Sequence, residues 1–149
     1  MRLYIMGGGK MLKEGDDVKF LDEFFPEFKN KWLILYFYPK DFTSGCTREA
    51  ISFRDSYSDL KKFGVEIIGV SRDDKEMHKK FKEKYSLPFE LFDDTDMILI
   101  RKFGVENNNR ARRTTFIINP ERKIVKVWGR VKVENHVEEI INSLKEVIK

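Results

Sequence analysis

One cysteine in 149 residues cannot close a disulfide within the chain. That excludes a secreted scaffold stapled by several bridges, and a reducing, cytoplasmic compartment is the natural expectation. Long apolar runs are missing as well. No stretch reaches the roughly 18 residues that a membrane-spanning helix needs, and the opening MRLYIMGGGKMLKEGDD lacks the apolar centre of a signal peptide. No basic block is long and uninterrupted, since the richest, residues 75–84, also holds Glu76 and Glu83. With 29 basic residues against 25 acidic ones, a solvated surface of mixed sign is expected, without nucleic acid as partner. There is no internal repeat, no low-complexity segment and no sign of a second domain. Residues 1–149 therefore read as one domain, with 1–15 a divergent N-terminal segment. The GGGK at residues 7–10 is a flexible turn and no phosphate loop, because Met11 stands where a Ser or Thr would meet magnesium.

What is present is a core-forming chain: hydrophobic residues are 41% and aromatics 13%. Residues 33–38, LILYFY, fit a strand buried on both faces. After a polar loop with Pro39 and Gly45, the apolar positions Ala50, Phe53, Tyr57 and Leu60 recur at spacings of 3 and 4, which predicts one helix ending near Gly64. Residues 65–70 form a second buried strand. Asp73 with Glu76 reads as the cap of a helix that presents Met77, Phe81 and Tyr85 on one face and stops at Pro88. Residues 89–92 are extended, 97–103 helical with an end at Gly104, and 107–112 a polar, mobile loop. Two strands, 115–118 and 124–128, flank a turn. A last helix carries Val137, Ile140, Ile141, Leu144, Val147 and Ile148. His78 and His136 fall at positions expected on the surface. The order β-α-β-α then β-β-α predicts an α/β protein with a central mixed β-sheet flanked by helices on both faces, the arrangement of the thioredoxin fold.

The only cysteine, Cys46, stands where the first strand's loop meets a helix. If Thr47 or a neighbour opens that helix, the unpartnered N–H groups of its first turn and the helix dipole favour a thiolate there. A reactive thiol also needs donors aimed at charge that develops during reaction. Thr43 offers a hydroxyl, Gly45 and Cys46 offer backbone N–H groups, and the missing side chain of Gly45 lets a ligand approach. A guanidinium would complete the set. The sulfur is expected to be open to solvent. A cysteine phosphatase is excluded because Ser52, not arginine, stands six residues on. A dithiol oxidoreductase is excluded because Glu49 stands where its second cysteine would be.

The segment YFYPKDFTSGCTREAISFRD, residues 36–55, closely resembles the active-site segment of the peroxiredoxins, in particular the bacterioferritin comigratory protein or Q-type subfamily. Pro39, Thr43 and Cys46 match its Pro-x-x-x-Thr-x-x-Cys pattern. RRTTFIINPERKIVKVW, from residue 112, resembles the segment that supplies the family's arginine, here Arg113. The resemblance implies reduction of hydrogen peroxide and organic hydroperoxides by Cys46, which becomes a sulfenic acid. It also implies that Thr43 and Arg113 are catalytic, that Pro39 and Gly45 shape the substrate site, and that Glu49 orients the arginine. No metal, haem or flavin is implied. Ile51 occupies the place of the subfamily's second cysteine, so an external thiol, such as thioredoxin, a glutaredoxin-like protein or a small thiol, must regenerate Cys46. A monomer or weak homodimer is expected, and the opening hairpin is expected to be short or rearranged. The competing reading is a peroxide sensor that relays oxidation to a partner protein.

Overall fold

The computed structural model describes residues 10–148, so most of the GGGK turn and everything before it lie outside the described residues. Five strands form one sheet in the order β3-β2-β1-β6-β7. They are β1 (Trp32–Phe37), β2 (Val65–Ser71), β3 (Glu90–Asp93), β6 (Thr114–Ile118) and β7 (Ile124–Trp128). The β1–β2 and β2–β3 pairs are parallel, while β1–β6 and β6–β7 are antiparallel. This mixed sheet is the one the element order predicts.

Because strand side chains alternate, β1 feeds two cores at once. Leu33, Leu35 and Phe37 enter a cluster with Leu21 of α1 (Leu21–Phe24), Leu99 and Ile100 of α5 (Ile98–Lys102), and Phe103. Ile34, Tyr36 and Tyr38 enter the opposite cluster. There they meet Ala50 and Phe53 of α2 (Ser44–Asp55), Phe81 of α4 (Lys75–Tyr85), and Ile140 and Leu144 of α6 (His136–Val147). Burying each of these large side chains stabilises the fold by about 1.5–3 kcal/mol. Tyr36 lies opposite Gly69 of β2. A Cβ at Gly69 would come within 2.9 Å of the Tyr36 ring, so glycine is what lets that ring lie over the strand and stack on Phe53.

Four local expectations need correction. The expected single helix after Cys46 is two, α2 and α3 (Tyr57–Lys61), broken at Ser56, whose φ and ψ of −102° and 9° are not helical. The Ser52 hydroxyl donates back to the Arg48 carbonyl at 2.9 Å, the kind of local bond that bends a helix. The cap of α4 is Asp74, which accepts from the Met77 N–H at 2.9 Å, and not Asp73. Asp73 is engaged elsewhere. The helix stops at Ser86, in the left-handed region, before Pro88 is reached. The supposed loop 107–112 is a small hairpin of β4 (Glu106–Asn107) and β5 (Arg110–Ala111). Asn108 and Asn109, both at positive φ, make its tight turn, and Ala111 anchors it in the core.

Of the opening segment only the part from residue 10 is described. Residues 15–18 lie against the start of β7 through an Asp17–Lys123 bridge, with the Gly15 N–H donating to the Ile124 carbonyl. Arg122, in the turn before β7, is fully buried. It reaches Asp22 and the carbonyls of Phe28 and Lys31, which ties this segment to the sheet.

Candidate active site

The sheet delivers the cysteine from one side and the arginine from the other. Strand β1 ends at Phe37, and the Tyr38 N–H still bonds to the Val70 carbonyl. Residues 39–43 then turn the chain into α2. Thr43 is the N-cap residue, and its carbonyl accepts from the Thr47 N–H at 2.8 Å. The N–H groups of Ser44, Gly45 and Cys46 precede that first bond, so they have no acceptor within the helix. The helix thus begins three residues earlier than Thr47, and Cys46 lies inside its first turn. There the side chain faces the sheet, in the cluster of Tyr36, Ala50 and Phe53, and the residue is only 1% exposed. The expectation of a sulfur open to solvent is therefore wrong: Cys46 falls on the inward stripe of α2 with Glu49, Ala50 and Phe53, while Ser44 of the same turn is exposed.

Arg113 precedes β6, which runs antiparallel to β1 with Thr114 opposite Phe37. That register brings the guanidinium to the start of α2. Its Nη1 donates to Glu49 Oε1 at 2.8 Å. Its Nη2 lies over Gly45, where a Cβ would come within 3.0 Å. Burial alone would lower the Arg113 pKa, but the charges of Glu49 and of Cys46 outweigh it and keep the guanidinium protonated. Glu49, one turn after Cys46, is buried. Burial raises its carboxyl from 4.5 to about 7, against the opposing pull of Arg113. The reason is visible in the geometry: among the described residues Oε2 has no hydrogen-bond partner.

Cys46, Gly45, Glu49 and Arg113 therefore form one cluster. Thr43 is exposed at the helix cap, and its hydroxyl donates to the Lys40 carbonyl at 2.8 Å. Pro39 is half-buried and lines a cleft of about 170 Å³ with Lys40, Arg72, Asp73 and Arg110.

Three residues near the loop escape a reading of the sequence. The buried Tyr36 hydroxyl has no partner among the described residues. Burial, followed by the charges of Glu49 and Cys46, raises its pKa well above 10.0. Asp41 and His78 are buried together. His78 falls three residues before Phe81, on the inward stripe of α4, and that spacing is the signal that could have found it. Both histidines contradict the surface assignment, at 5% exposure for His78 and 1% for His136. Neither serves Cys46 as a base. The ring nitrogens of His78 face Asp41 and Phe92, and those of His136 face Glu139 and Thr115. Burial lowers the His136 pKa.

A thioredoxin-type sheet that holds one cysteine in a helix's first turn, beneath an arginine paired to a buried glutamate, defines a thiol-based redox enzyme. The comparisons give the family. Residues 13–127 match the AhpC/TSA family. The Bacillus subtilis peroxiredoxin Bcp is 42% identical over 141 residues, covering 89% of this chain and 87% of that protein. A solved mutant of Xylella fastidiosa PrxQ superposes with a TM-score of 0.87 at 32% identity, covering 95% of this chain and all of that one. A Xanthomonas campestris bacterioferritin comigratory protein, whose structure concerns its alkyl peroxide reduction activity, gives 0.79 at 35% identity, over 83% of this chain and 84% of that one. The chain belongs to the AhpC/TSA family and, within it, is a peroxiredoxin of the Bcp or Q type with a single cysteine.

Proposed function

We propose that Cys46 performs the thiol-dependent peroxide reduction of this peroxiredoxin by a one-cysteine cycle. The thiolate sulfur attacks the terminal oxygen of the peroxide. An S–O bond forms as the O–O bond breaks, sulfur loses two electrons, and the departing alkoxide or hydroxide takes a proton. Arg113 and the free N–H groups of Gly45 and Cys46 stabilise the charge that develops on oxygen. Thr43 has committed its own proton to Lys40, so its oxygen is left to accept from the peroxide O–H. Pro39 fixes the loop and shields the sulfur, and Glu49 holds Arg113 over Gly45. The observation that carries this reading is the position of Cys46 in the first turn of α2, beneath the Arg113–Glu49 pair.

The sulfenic acid has no second cysteine to meet. An external thiol therefore displaces water to form a mixed disulfide, and a second thiol releases Cys46. A thioredoxin, a glutaredoxin-like protein or a small thiol fits that role, acting on a monomer or weak homodimer in the cytoplasm. The chain works as one domain over residues 1–149. Because Cys46 is buried, the first turn of α2 must move for a protein thiol to reach it.

Purified, reduced protein is expected to consume one equivalent of peroxide per chain without reductant, and to turn over once a thiol is supplied. A sensor would give only the first. Cys46→Ser abolishes both; peroxidase activity retained by that variant would overturn the reading.

A further inference from the structure

The loop that carries Cys46 to its helix is gripped by α4, and the grip has a titratable group at its centre. His78 Nδ1 lies 2.7 Å from Asp41 Oδ2, and its Nε2 lies 3.0 Å from the Phe92 carbonyl. The Tyr38 hydroxyl donates to the other Asp41 oxygen at 2.6 Å. The Asp41 N–H donates to Asp73 Oδ2 at 2.8 Å, and the Ser71 hydroxyl donates to the same oxygen at 2.6 Å. Asp41 is thus held by side chain and backbone, from Tyr38 just after β1, from Asp73 just after β2 and from His78 of α4. The next residue, Phe42, has φ of +67°, a left-handed conformation that is costly for a bulky side chain. It is 41% exposed, yet its ring packs on Phe81, three residues after His78, with centroids 5.0 Å apart. One face of α4 therefore holds two consecutive loop residues, and Thr43 and Cys46 follow directly.

We propose that His78, hydrogen-bonded between Asp41 and Phe92, is a positioning residue for the peroxide step: it holds residues 39–43 so that Thr43 and Cys46 stand in reactive register. This inference rests on Cys46 being the nucleophile. Both ring nitrogens face oxygen acceptors. A neutral imidazole beside an ionised Asp41 has only one donor and would turn a lone pair toward one of those oxygens. The pair needs its shared proton to keep both contacts, whichever partner carries it. Burial by itself would lower the His78 pKa, but the hydrogen bond and charge of Asp41, the Phe92 carbonyl and the charge of Asp73 outweigh it and raise it. The other charges around the ring are mixed. Lys75, Lys79 and Lys82 of its own helix, with Glu27, Glu90 and Asp93, line the cleft of about 400 Å³ on which it opens. A raised value means that the grip is intact below the ordinary histidine range and is lost as pH rises through the folded value.

The test is the second-order rate of Cys46 oxidation by hydrogen peroxide, followed from acid to alkaline pH. In the wild type the profile should carry a limb that falls with rising pH as His78 loses its proton. NMR of the imidazole should show His78 titrating at the pH of the fall. In His78→Gln the falling limb should vanish, and the rate near neutrality should drop by between about ten- and a hundredfold, the scale of a small misplacement of reacting groups. Asp41→Asn should do the same. A wild-type profile with no falling limb, or a limb that persists in a folded His78→Gln protein, would overturn the inference. If His78→Gln does not fold, the wild-type profile and the NMR titration decide it alone. Cys46→Ser separates the two readings, because its inactivity upholds the nucleophile whatever His78 does.

Discussion

Glu49→Gln removes the one buried carboxyl of the cluster and leaves its shape almost unchanged. The glutamine carbonyl still accepts from Arg113, but the side chain no longer titrates. In the native protein burial raises the Glu49 carboxyl from 4.5 to about 7, even beside the guanidinium. A rise of this size corresponds to about 3 kcal/mol between the two protonation states. Its sign follows from proton uptake: between these values the native state holds a proton that the unfolded chain has released. The contribution is therefore full below about 4.5 and is lost as pH rises through about 7. Urea unfolding of the reduced protein, followed by the fluorescence of Trp32 and Trp128 from pH 4.5 to 8, measures it directly. Relative to Glu49→Gln, the wild type should lose about 3 kcal/mol of stability across that range. Parallel curves for the two proteins would refute the argument, because the carboxylate would then ionise as freely in the fold as in water.

Gly45→Ala separates rate from stability. Alanine favours the helix by up to about 1 kcal/mol, but its Cβ would press on Arg113 Nη2 at 3.0 Å. The expected result is unchanged or slightly higher resistance to urea with a peroxide step slowed by about tenfold; an unaltered rate would take Arg113 away from this end of the helix. Arg122→Leu should do the opposite. It leaves Asp22 and the carbonyls of Phe28 and Lys31 without their buried donor, and destabilisation of about 3–5 kcal/mol is expected in urea, with the rate of Cys46 oxidation in the folded fraction unchanged.

Local chemistry was enough to read the strand of residues 33–38 and the strand 124–128, because apolar runs and turn residues act on near neighbours. It was also enough to place Cys46 at a strand-to-helix junction. Register across β1 and β6, with Thr114 opposite Phe37, was required to bring Arg113 to Gly45 and to Glu49, 64 residues away in the chain. Burial too belongs to the tertiary fold. Sequence neighbours made His78 look like part of a charged helix, yet α4 turns it toward Asp41, whose loop is 37 positions distant. The same holds for the sealed Cys46 sulfur and for the proton on Glu49. Both depend on how much water the packed sheet and helices exclude, and that quantity is set by contacts between segments far apart in the chain.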